Sequence, residues 1–252
     1  MYTFIASYRN ELDKLISRKK YIVFIIIGLS ICLIWTAIGQ LISGFALRQG
    51  GIALSLTPSP MGALPLFLHI IIPFLMFMGI TDLVTIESAD NTMKSMICRP
   101  VERWKLYATK ILAVETYAAV YLLVVYIICA VLNQIFGRTL SIQNLLVALA
   151  SYALTLIPLA ILACYSALLA VLGKSGSLTM LILLLSYIML MALPVIFPQL
   201  SEMLFTSYLS WYRLWIGAIP VAAKMVHMLL IVGGYGIVFY TAGSLLFDRK
   251  GY

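Results

Sequence analysis

Six stretches of this chain, about 21–43, 64–86, 107–135, 145–172, 178–199 and 225–247, stay apolar for longer than the ~18–20 residues a helix needs to cross a bilayer. With 63% hydrophobic and 10% charged residues, and a mean hydropathy of +1.06, a soluble domain of 252 residues could not solvate its own surface. The expected fold is an all-α integral membrane protein: six transmembrane helices forming one domain over 1–252, preceded by an interfacial amphipathic helix.

The net charge of +8 and pI near 9.3 raise the question of nucleic acid. The bases instead gather beside the ends of the apolar runs, as anionic headgroups and orientation control require, so no nucleic-acid partner is expected. With both termini in the cytosol, the inner side holds thirteen Lys and Arg residues, among them Arg18-Lys19-Lys20, Lys94, Arg99, Arg103, Lys105, Lys110, Arg249 and Lys250. The outer side then holds four: Arg48, Arg138, Arg213 and Lys224. That bias predicts an N-in/C-in protein. The N-terminus does not read as a cleavable signal, because its charged region is too long and no small-x-small site follows. Nor do the cysteines form a framework: Cys32, Cys129 and Cys164 fall within spans, and Cys98 falls in an inner loop.

Residues 3–19 predict an amphipathic helix, with Phe4, Ile5, Tyr8, Leu12, Leu15 and Ile16 on one face and Asn10, Asp13, Lys14 and Ser17 on the other. Such a helix suits the inner headgroup layer; a topology signal with no mechanical role is the plainer reading. The outer segment 200–224 repeats Phe205, Leu209, Tyr212 and Ile216 at helical spacing, carries Trp211 and Trp215, and is bracketed by Pro194, Pro198 and Pro220. It reads either as short helices dipping into the outer leaflet or as an aromatic anchor belt.

Catalytic constellations are weak. Gly173-Lys-Ser175-Gly176 and His227 resemble an intramembrane serine protease in composition, but Ser175 lies in an inner turn and His227 near the outer end of its helix. Most of a bilayer, ~30 Å, would separate a nucleophile from a base that must sit within ~3 Å of it. His69 and His227 are the chain's two histidines, and no carboxylate cluster accompanies them, so no metal site is expected.

The richest stretch is a connecting loop. Eight charged side chains lie between Glu87 and Lys110. Ser88 is placed to cap a short helix, with Glu87 and Asp90 toward its positive end and Lys94 and Arg99 toward its negative end. Ile86, Ala89, Met93, Met96 and Ile97 share one face, and Pro100 should end the run. This predicts an apolar and charged face pressed against something in the cytosol. Nearby, Asp82, Lys110 and Glu115 place ionisable groups at membrane depth, where a central charge costs ~2.5–3.5 kcal/mol. An Asp82–Lys110 pair is geometrically plausible. Charges at an inner gate and simple snorkelling to the headgroups both remain open.

This loop resembles that of the ATP-binding-cassette (ABC) type 2 permeases, the membrane halves of exporters whose ATPase is commonly a separate polypeptide. The family pattern is an acidic residue, Gly-Thr, a basic and apolar run to Arg-Pro, an Arg, and a Lys opening the third span. Glu87, Asn91-Thr92, Met93, Lys94, Arg99-Pro100, Arg103 and Lys110 supply it, with Asn91 where the family has Gly. The resemblance implies a permease subunit of a bacterial cytoplasmic membrane, exporting an amphipathic substrate such as an antimicrobial peptide or drug. It implies a coupling loop, 87–106, in which Glu87, Asp90, Thr92, Met93, Lys94, Met96, Ile97, Arg99, Pro100 and Arg103 meet a cytosolic ATPase. An outer gate at 200–224, with Trp211, Tyr212 and Trp215, and a second permease copy, identical or a sibling, are implied too. ATP and Mg would belong to the ATPase; no cofactor and no enzymatic activity are expected here. The contrasting class is a non-transporting membrane scaffold that recruits cytosolic proteins through the same loop.

Overall fold

The computed structural model describes residues 2–49, 60–90, 102–135, 141–215 and 222–250. Helix α1 (Tyr2–Ser17) breaks at Arg18 and leads into α2 (Lys19–Gln49). Then follow α3 (Pro60–Ala89), α4 (Arg103–Ile135), α5 (Ile142–Leu172), α6 (Gly176–Ile196) and α7 (Ala222–Arg249). Two 3-10 stretches, Pro198–Glu202 and Phe205–Trp215, lie between α6 and α7. No strand occurs among the described residues. Helices α2 to α7 are each long and apolar enough to span a membrane.

Helix α4 is the hub, packing against α1, α2, α3, α5 and α7. It runs parallel to α2. The Tyr117 hydroxyl donates to the Tyr21 carbonyl (3.0 Å), Tyr121 to that of Phe24 (3.2 Å), and Cys129 Sγ lies 3.5 Å from Cys32 Sγ. An even number of spans returns the chain to its starting side. One end of the bundle, the near end, therefore carries α1, the end of α3, the start of α4 and the last turn of α7. The far end carries residues 198–215. Much of α6 and α7 keeps an exposed apolar surface, including Leu185, Ile188, Leu230 and Val238, which is the surface a bilayer solvates.

Two findings depart from the expected local structure. First, the face of α1 packed on the bundle is Ser7, Glu11 and Leu15, whereas Ile5 and Ile16 are exposed. Lys14, expected to point away, turns inward because carboxylates await it there. Second, Ser88 starts no separate helix. Its hydroxyl donates back to the Val84 carbonyl (2.6 Å), and α3 continues unbroken through Ala89.

Helix α3 is also irregular in its hydrogen bonding. It widens into π-helix at Phe67–Ile71 and again at Thr81–Ile86. Such widenings are rare, and they re-aim the side chains that follow. The second brings Asp82 and then Glu87 into the protein interior, and Thr85 fastens it to α5 through the Ala170 carbonyl (2.9 Å).

Candidate functional sites at the two ends of the bundle

At the near end four side chains from three helices form a closed ring of alternating charge. Lys14 donates to Glu11 Oε1 (2.9 Å) and Glu87 Oε1 (2.8 Å). Lys110 donates to the other oxygen of each, Glu11 Oε2 at 3.1 Å and Glu87 Oε2 at 2.6 Å. Lys110 is 0% exposed and Glu11 1%. Two ammoniums and two carboxylates cancel, so each ion gains partners in a site where a lone one would cost several kcal/mol. The ring ties α1, the end of α3 and the start of α4 into one unit. Glu87 is thus the buried root of the loop, not part of its surface.

The Asp82–Lys110 pair that adjacent spans made plausible does not form. Asp82, 2% exposed, instead receives Arg18 (3.0 Å), Lys20 and the Tyr21 hydroxyl (2.7 Å). The basic hinge between α1 and α2 holds Asp82, and the ring holds Lys110. Neither residue snorkels; both are enclosed by protein. Glu115, lower in α4, has both carboxyl oxygens buried with no hydrogen-bond partner.

The far end is built around three prolines. Proline lacks an N–H, so it orphans the carbonyl four residues earlier, and in a membrane other groups must satisfy it. Pro73 frees His69, whose carbonyl receives the Tyr187 hydroxyl (3.0 Å). Pro158 frees Leu154, whose carbonyl receives Trp211 Nε1 (2.7 Å). Pro194 frees Leu190, whose carbonyl receives Thr206 Oγ1 (3.3 Å). The 3-10 segment supplies two of the three donors. It is also pinned to α3, where His69 Nδ1 bonds the Pro65 carbonyl (2.9 Å) and Nε2 lies 3.2 Å from Ser210 Oγ. A carbonyl only accepts, so Nδ1 is the donor to Pro65. Phe205, Tyr208, Leu209, Trp211 and Tyr212 are buried against α5, α6 and α7 rather than splayed outward. That packing favours a segment dipping into the bundle over an anchor belt.

Comparison with protein-family models gives a match to the ABC-2 family transporter protein model over residues 9–191. The chain belongs to the ABC-2 transporter membrane family. It is a multi-pass transport subunit, and the match runs from within α1 to the latter part of α6. No curated protein matches it.

Of the residues expected to meet an ATPase in this ABC-2 subunit, Glu87, Asp90 and Arg103 are described. Asp90 ends α3 as an exposed turn residue. Arg103 bonds the Asp248 carbonyl (2.7 Å) and tethers the start of α4 to the end of α7. Thr92, Met93, Lys94, Met96, Ile97, Arg99 and Pro100 lie outside the described residues, as does the Trp215 side chain. Sequence reasoning missed Glu11 as a partner of Lys110 and Lys14 as a partner of Glu87. An acidic and a basic residue three apart in an otherwise amphipathic helix were the available signal; Lys14 was placed on the outward face and Glu11 on neither. It also missed the proline-freed carbonyls, although their positions follow from the proline positions alone.

Proposed function

We propose that this chain is the permease subunit of an ABC exporter, with the near end in the cytosol and ATP hydrolysed by a separate subunit docked on the loop after α3. Family membership supports the transport role. The observation that carries the coupling role is the buried ring, because it joins the root of that loop to α1 and α4. A displacement imposed on the loop reaches Glu87 first. The ion pairs of Glu87 to Lys14 and Lys110 then oblige α1 and α4 to move with it, since parting them would strand buried charge. Helix α4, the hub, passes the movement to the other spans. At the far end, the segment bonded to the freed carbonyls of α5 and α6 sits where an outer gate would close. Two permease copies, identical or sibling, would enclose the path, and the cargo is an amphipath such as an antimicrobial peptide or drug.

Charge reversal at Lys94 and Arg99 tests this reading. Insertion into the membrane should be normal, while co-purification with the ATPase, or transport by the assembled complex, should be lost. A reversed variant that keeps its ATPase and transports normally would refute the coupling role. Retention of ATPase binding with no transport by the wild-type complex would favour the scaffold.

A further inference from the structure

A groove of about 710 Å³ opens along the far half of α7, beneath the turn that follows α6. Small-ligand sites occupy about 300–1,000 Å³. Its polar mouth is Gln199, Glu202 and His227; its floor is the face of α7 that includes Gly234, Tyr235 and Phe239. From His227 to Phe239 the helix rises about 18 Å, roughly one leaflet of a ~30 Å hydrocarbon core. A polar mouth at the helix end and an apolar floor running inward match a molecule with its head at the interface and its tail in the membrane.

The sign of the head follows from the lining. Glu202 is exposed and makes no ion pair, and no Lys or Arg lines the groove among the described residues. Its charge is felt nearby. Tyr208, whose hydroxyl bonds the Glu202 carbonyl, is held above the ordinary phenol range by burial first and by the Glu202 carboxylate second. Among the described residues a phosphate would find no Lys or Arg lining this groove, whereas an ammonium would find the Glu202 carboxylate at its mouth. We propose that this groove binds a long-chain amphipath with an ammonium head, its charge at Glu202 and its tail along the Gly234 face of α7. The site deepens the export reading and rests on it for the role of the occupant as cargo, but binding itself needs no ATPase.

Gly234 provides a selective test, because a Cβ built there meets no heavy atom within 4 Å. Gly234→Leu should therefore fill the groove without disturbing the bundle, and Glu202→Gln should remove the charge from an exposed position. The chain alone, in phosphatidylglycerol bilayer discs, is irradiated with a long-chain primary alkylamine bearing a diazirine in its tail. Labelling should map to 199–203 and 227–239, fall several-fold in each variant, and be weak for an alkyl sulfate with the same tail. Equal labelling by amine and sulfate, or labelling indifferent to both variants, would overturn the proposal. So would a co-purifying phospholipid that Gly234→Leu displaces and Glu202→Gln leaves in place. Because no ATPase is present, either failure leaves the coupling reading to its own test.

Discussion

Lys110 is a lysine with no exposed surface, and it survives burial because two carboxylates share it. Lys110→Met should therefore cost more than the loss of two hydrogen bonds, since Glu11 and Glu87 would each lose a buried cation. Breaking one member of a buried ionic cluster typically costs about 3–5 kcal/mol. Adding Glu87→Gln restores neutrality, so the double variant should unfold at a higher temperature than Lys110→Met in detergent. A double variant as unstable as the sum of the singles would mean that the ring is not an electrostatic unit. A second residue-scale prediction concerns Trp211. Trp211→Phe removes the donor to the Leu154 carbonyl, leaving a buried acceptor unsatisfied at about 1–3 kcal/mol. Pro158→Ala supplies an N–H to that same carbonyl, so it should shrink the cost of Trp211→Phe. If Pro158→Ala leaves that cost unchanged, the indole has another role.

At the scale of elements, the contact between α2 and α4 makes two further predictions. Cys32 and Cys129 sulfurs lie 3.5 Å apart in the interior. Mild oxidation should shield both thiols from alkylation after denaturation, reductant should expose them again, and Cys129→Ser should leave Cys32 reactive. Full alkylation of both thiols after oxidation would contradict the parallel register. Close approach of the two helices also depends on Gly28, where an added Cβ would sit 2.2 Å from Tyr121 Oη. Gly28→Ala should cost about 1–3 kcal/mol, whereas Gly233→Ala, with nothing within 4 Å, should be neutral or gain up to about 1 kcal/mol of helix propensity. Equal thermal stability of the two variants would argue against that approach. These elements also show where sequence reading succeeds and stops. Hydropathy located six spans because lipid imposes a length on each of them. Polarity could not orient Lys14, because an inward lysine differs from an outward one only in what meets it. An Asp82–Lys110 pair is plausible from the sequence because the two residues lie in adjacent spans. The competing partners came from α1 and its hinge, which no local pattern ties to α3. Each freed carbonyl was legible from Pro73, Pro158 and Pro194, but its donor was set by tertiary packing.

For the whole molecule, the described architecture links two ends that are held together by different interactions. The near end concentrates ion pairs that join the loop root, α1 and α4, and Arg103 adds the end of α7 to the same assembly. The far end closes on hydrogen bonds to carbonyls that proline has freed, bonds that can part without stranding an ion. A rigid charged base and a more easily opened cap are what a subunit driven from one side requires. The central claim is that the loop after α3 faces the cytosol and carries the ATPase. Native Cys98 lies in that loop, while Cys32 and Cys129 are buried in the bundle. The direct measurement is labelling of Cys98 by a membrane-impermeant maleimide in vesicles of known sidedness, with and without the ATPase. Labelling in inside-out vesicles only, suppressed when the ATPase is bound, is the predicted result. Labelling from the exterior face, or labelling that bound ATPase does not change, would contradict it.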